Sequence, residues 1–227
     1  MTADEPIHNP VAGVFDDVSP VPGSSKRDPI LIADDVVRRF GGLTAVSVDH
    51  LEIQRGAITA LIGPNGAGKT TFFNLLTSFD KQDAGRIQFD GVDITGTASH
   101  KLATEGMVRT FQLTKALSRM TVIDNMKLGA TGQVGESFWK ALLPIWSGQE
   151  ADIEARADAL LDRFNLTHMR DEFAGTMSGG QRKLVEMARA LMTEPKLVML
   201  DEPMAGVNPA LTQSLLGHVK GLRAEGR

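Results

Sequence analysis

Gly63-Pro64-Asn65-Gly66-Ala67-Gly68-Lys69-Thr70-Thr71 decides how the rest of the chain reads. It follows the apolar run at 57–62, which the pattern predicts to be a buried strand, and it precedes Phe72, Leu75, Leu76 and Phe79 at helical spacing. Strand, glycine-rich loop and helix are the context that G-x-x-x-x-G-K-[ST] requires. Glycines let the backbone curl until successive N–H groups face inward around an anion. The positive end of the following helix points into the same hollow. Lys69 adds a full charge for terminal phosphates, and the Thr70 hydroxyl is suited to ligate Mg²⁺. A chance glycine-rich turn would lack Lys-Thr-Thr in register with both flanks. The stretch reads as a nucleotide site.

Working outward, residues 1–29 are rich in Pro, Asp, Ser and Gly without an apolar period, and read as a disordered leader. From Ile30, short runs at 30–32, 36–37, 46–48 and 51–53 are broken by Gly41-Gly42 and Arg55-Gly56, a strand pattern. Phe40, just before the glycine pair, reads first as a core phenylalanine when taken alone, and otherwise as an aromatic face for a purine ring. Residues 85–91 alternate like a strand ending in a turn, and 108–112 read as a short strand ending in the amide of Gln112. The region 113–177 changes character. Ile153, Ala157, Leu160, Leu161 and Phe164 mark an amphipathic helix, and the aromatics between 138 and 146 serve either as subdomain core or as a docking surface.

Ser178-Gly179-Gly180-Gln181 opens a further helix with Leu184, Met187, Ala188 and Leu191 on one face. Ser178 suits the N-cap, and the two glycines leave the positive helix end sterically bare. Residues 196–202 form an apolar run ending in Asp201-Glu202, as expected of a buried parallel strand. Carboxylates there lie where open α/β sheets bind ligands. Asp201 is placed to support Mg²⁺ opposite Thr70, and Glu202 to act as base toward a water.

Composition narrows the classes. The 227 residues carry a net charge of −4, which gives no basic footprint for nucleic acid. No run is long enough to span a bilayer, and the N-terminus lacks a signal-peptide pattern. With no cysteine there is no disulfide, thiolate metal site or cysteine nucleophile.

The phosphate loop, Phe111-Gln112, Met177-Ser178-Gly179-Gly180-Gln181 and Leu200-Asp201-Glu202-Pro203, in that order, resemble the ATPase subunit of an ABC transporter. The resemblance runs from Ile30 to Arg227. It implies an α/β fold: a phosphate-loop ATPase core with an antiparallel β-subdomain and a helical subdomain at about 113–177. It also implies a head-to-tail pair of ATPase subunits, each ATP held between the loop of one and the Ser-Gly-Gly-Gln helix of the other. On that resemblance Phe40 stacks on adenine and residues Gly63 to Thr71 bind phosphates. Thr70, Gln112 and Asp201 attend the metal, Ser178 to Gln181 reach the γ-phosphate across the dimer, and Glu202 with Gln112 serves hydrolysis. The phrases 39–43, 106–112 and 202–209 resemble the branched-chain amino-acid importer ATPases within the family. These pair two ATPase subunits, peripheral at the cytoplasmic face of the membrane, with two transmembrane permease subunits and a solute-binding protein. Relatives for urea, short amides or lipopolysaccharide share much of the wording, and a soluble non-transport ABC ATPase is the alternative of another class. Asn208 stands where most of the family has Asp, as the importer subgroup often does. The family pattern continues into a strand ending in a switch histidine. His218 does not match it, so the reading expects a truncated chain that binds nucleotide with weak or absent turnover.

Overall fold

The structure is a computed structural model that describes residues 25–110, 117–130, 146–201, 217 and 221. The strand pattern after Ile30 becomes a long hairpin, β1 (Pro29–Phe40) and β2 (Leu43–Gln54), turned at Gly41-Gly42. Pairing runs from Phe40 opposite Leu43 to Pro29 opposite Gln54, with register shifts at Arg38/Arg39 and Pro29/Leu31. β3 (Ala84–Phe89) pairs antiparallel along the other edge of β1, and the short β4 (Val92–Asp93) pairs with β3, giving the order β2-β1-β3-β4. This is the expected antiparallel β-subdomain.

One position in this sheet has to be glycine. Between Leu31–Ala33 and Val36 the buried phase of β1 shifts, and Asp35 takes φ 50°. Gly85 faces that irregularity at φ 96°, and a Cβ there would sit 2.4 Å from the Asp35 carbonyl oxygen. Only a glycine lets β3 close against the bulge.

Helix α1 (Lys69–Leu76) lays Phe72, Leu75 and Leu76 into the core under the sheet. Phe79 departs from the expected face. The helix stops at Leu76, Ser78 turns left-handed at φ 54°, and Phe79 is left exposed. α2 (Ser99–Thr104) precedes β5 (Met107–Thr110), which pairs in parallel with β6 (Leu197–Leu200).

Among the described residues the helical part is made of α3 (Val122–Lys127), α4 (Trp146–Arg163) and α5 (Gly179–Leu191). The expected amphipathic face is present on α4, where Ile153, Ala157 and Leu161 are buried with Leu160 packed beside them, and Phe164, one residue past the helix, is buried with them. α5 joins the same core through Leu184, Val185, Met187, Ala188 and Leu191. The described residues thus form two cores, one under the sheet and one among the helices. β6 lies between them, with Met199 in the sheet-side core and Val198 and Leu200 packed against the helical one. Period-two alternation along the strand does this, and it carries Asp201 to the junction.

The expectation of a buried strand at 57–62 is not met. No strand is assigned there, and Ile58, Leu61 and Ile62 are exposed, Ile62 by 89%. The run faces β6 across an apolar groove of about 400 Å³ lined by Ile58, Leu61, Leu197 and Met199 among others. β6 pairs along one edge only among the described residues. Apolar composition supplies the tendency to bury, but burial needs a neighbouring strand, and none of the described residues lies in the groove. For the same reason β6 is half-buried except at Met199. Among the described residues no helix is long and apolar enough to cross a membrane. Residues 1–24 of the leader, the aromatics at 138–145, Gln112, Glu202, Asn208 and His218 lie outside the described residues. The end of the leader is held in place, the Asp28 carbonyl oxygen accepting from Arg55 N at 2.9 Å and Pro29 opening β1.

Candidate nucleotide site

The loop at 63–68 leads directly into α1, whose first turn has no side-chain cap. Its leading N–H groups are therefore available to an external acceptor. Gly66 and Gly68 take φ 82° and 85°, conformations that disfavour any side chain. Gly68 is constrained twice, because a Cβ would come within 2.3 Å of the Ala45 carbonyl oxygen on β2. The loop is packed down onto the hairpin, and together they enclose a hollow of about 480 Å³. Leu43 to Ala45 line one side, Asn65 to Thr71 the other.

Gly68→Ala is expected to cost about 1–2 kcal/mol from the left-handed φ, with a further loss as β2 is pushed away. Gly66→Ala pays only the first cost, because nothing lies within 4 Å of its Cβ position. Thermal melting should rank Gly68→Ala below Gly66→Ala; equal melting points would mean that the loop does not rest on β2.

Lys69 sits at the floor of the hollow. Its Nζ donates to the carbonyl oxygens of Gly63 and Pro64, 2.8 Å each, which fixes the ammonium beneath the loop's own backbone. The neighbouring groove brings Lys69 and Asp201 onto one lining, as expected of groups at the ends of a phosphate loop and an acidic strand.

Asp201 is buried, and its Oδ2 accepts from Arg109 Nη2 at 2.7 Å, with both side chains about 5–6% exposed. Arg109 Nη1 donates to Asn74 Oδ1 at 2.6 Å, and the guanidinium lies 5.7 Å from the centre of the Phe73 ring. One arginine thus ties β5 and the carboxylate after β6 to α1. Sequence reading missed Arg109. The signal was present: a charge inside the apolar strand 107–110 must find a partner where the strand is buried. A second tie joins sheet and core, where the Asp90 carboxylate accepts from Lys196 at 2.6 Å and Arg55 at 2.5 Å. These two cations hold its carboxyl below the usual range.

Phe40 closes β1 opposite Leu43, which lines the hollow, and is 48% exposed, so it is not the core phenylalanine that its residue type alone suggests. Ser178 caps α5 as expected. Its hydroxyl accepts from Gln181 N at 3.2 Å while Gln181 Oε1 accepts from Ser178 N at 2.9 Å, a reciprocal capping box. Ser178 and Gly179 are exposed, and residues 178–181 line neither the hollow nor the groove.

A glycine-rich loop seated on a helix N-terminus over a fixed lysine defines a phosphate-loop nucleotide-binding domain. The family model described as ABC transporter matches residues 46–205, and the chain belongs to that family. Over 198 residues it is 41% identical to the probable branched-chain amino acid transport ATP-binding protein LivG of Methanocaldococcus jannaschii, spanning 87% of this chain and 77% of the relative. It is 39% identical over 199 residues to the high-affinity branched-chain amino acid transport ATP-binding protein BraF of Pseudomonas aeruginosa, covering 87% and 78%. Among solved structures it is similar to MJ1267, an ATP-binding cassette of an ABC transporter. That likeness has a TM-score of 0.74 and 40% identity, over 87% of this chain and 78% of the other.

Proposed function

We propose that the chain is the ATP-binding and ATP-hydrolysing subunit of an importer for branched-chain amino acids. It works at the cytoplasmic face of the membrane with a second ATPase subunit and separate permeases, and through them with a solute-binding protein. The observation that carries the nucleotide reading is the hollow lined by Asn65 to Gly68 of the loop and by Lys69 to Thr71 at the uncapped N-terminus of α1. The solute follows from the names of the relatives, since the transported molecule would not touch this chain.

In this reading the loop N–H groups and Lys69 hold the β- and γ-phosphates, and Phe40 offers a face to adenine. The donor set suits Mg²⁺, a hard cation that keeps waters and phosphate oxygens and asks the protein for few ligands. Thr70, Asp201 and Gln112 would hold it, and when bound it neutralises charge on the phosphates. Arg109 keeps the Asp201 carboxylate oriented by engaging one oxygen and leaving the other. Glu202, next in the chain, takes a proton from the attacking water. Ser178 to Gln181 of the partner subunit present a bare helix end to the γ-phosphate.

Disrupting the gene should abolish energy-dependent uptake of labelled leucine, isoleucine and valine and spare urea and short amides, and the tagged chain should bring polytopic permeases out of solubilised membranes. Unchanged branched-chain uptake with loss of urea or amide uptake would reassign the solute. Recovery of soluble partners alone would overturn the transport reading.

A further inference from the structure

Arg38 and Phe40 stand two residues apart near the end of β1, on either side of a shift in the β1–β2 register at Arg38/Arg39, and their side chains meet there. The Arg38 guanidinium carbon lies 4.6 Å from the centre of the Phe40 ring, within cation–π range. Its position is fixed from the other side. Asp80 takes Nε at 3.0 Å and Nη2 at 2.8 Å, a fork-to-carboxylate pair, and Asp83 takes Nη1 at 3.1 Å. Asp83 is itself anchored to the strand, since its Oδ2 accepts from Arg39 N at 2.6 Å and its own N–H donates to Val37 O at 2.8 Å. Two carboxylates that follow α1 thus hold a planar cation against one face of an aromatic ring. The ring remains 48% exposed, and its strand partner Leu43 lines the phosphate hollow.

We propose that Arg38 is a positioning residue for the nucleotide base: braced by Asp80 and Asp83, it fixes the plane of Phe40 so that the open face receives a purine. This rests on the nucleotide reading of the hollow. Without the brace, an aromatic at a hairpin end turns through its rotamers and must be ordered at each binding event. With it, the ring is ordered beforehand, and the cation draws electron density away from the face offered to the electron-rich purine. The phosphate cradle is untouched, so Arg38 acts on the base alone.

The test compares ATP with inorganic tripolyphosphate, which has the phosphates and no base, by calorimetry on the full chain. Arg38→Gln should weaken ATP by about fivefold, the scale of one exposed cation–π contact, and leave tripolyphosphate unchanged. Arg38→Lys, which keeps the charge without the fork, should restore part of the loss. In a Phe40→Ala background Arg38→Gln should have no further effect. Equal weakening of ATP and tripolyphosphate, or an undiminished Arg38 effect without the ring, would overturn the proposal. A parent chain that binds neither probe overturns the nucleotide reading itself. Melting curves of Arg38→Gln and the parent should agree within a few degrees, since the lost pair is partly solvated; a collapse of the fold would make Arg38 a structural brace and overturn the proposal.

Discussion

Replacing Lys69 with alanine is expected to weaken ATP binding by about a hundredfold. Lys69 is the first residue of α1, and its ammonium is already fixed by two loop carbonyls under the hollow. Little side-chain entropy therefore remains to be lost when phosphate arrives. Hydrogen bonds to charged groups contribute roughly 1.5–3 kcal/mol each, and a hundredfold change corresponds to about 2.7 kcal/mol. Lys69→Arg should recover only part, because a guanidinium fork cannot present the same compact charge between Gly63 and Pro64. Calorimetric titration with ATP reads the effect directly. An unchanged dissociation constant would remove Lys69 from the site.

Arg109→Met should be the most damaging single change to stability. The Arg109–Asp201 pair is buried on both sides, and removing one partner strands a carboxylate in the interior at a cost of about 3–5 kcal/mol. Asn74 on α1 loses its donor as well. For a chain of this size the melting temperature should fall by about 10 °C. Adding Asp201→Asn should recover much of that, because the stranded charge is then gone; a double variant no more stable than Arg109→Met would place the cost elsewhere, in packing against Phe73. The pair also joins the two halves of the site, since Asp201 leaves β6 at the boundary of the two cores.

How much of this was legible in the sequence depends on whether a feature is local. The hairpin turned at Gly41-Gly42, the amphipathic face of α4 and the Ser178 cap are written in neighbouring residues, and they read correctly. The Gly63–Thr71 loop is equally local, and Gly66 and Gly68 stand where left-handed backbone is required. What did not read from sequence depends on partners distant along the chain. The run at 57–62 has strand composition, yet its burial is decided by what fills the groove beside β6. Phe79 keeps helical spacing, but the helix ends at Leu76 and the spacing has nothing to act on. Arg109 and Arg38 looked like ordinary charges until Asp201, Asp80 and Asp83 were brought to them. Gln112 and Glu202 rest on the motif order alone.

The central claim is that the hollow at Gly63–Thr71 is half of a site which the Ser178–Gln181 helix end of a second subunit completes. The most direct test is the mass in solution of Glu202→Gln, measured by light scattering with and without ATP and Mg²⁺. Removing the base blocks hydrolysis and leaves the phosphate contacts in place. The expected result is a dimer with ATP that returns to monomer with ADP, and Ser178→Arg, which fills the bare helix end, should prevent dimerisation. A Glu202→Gln chain that binds ATP and stays monomeric, while the parent dimerises, would contradict the account.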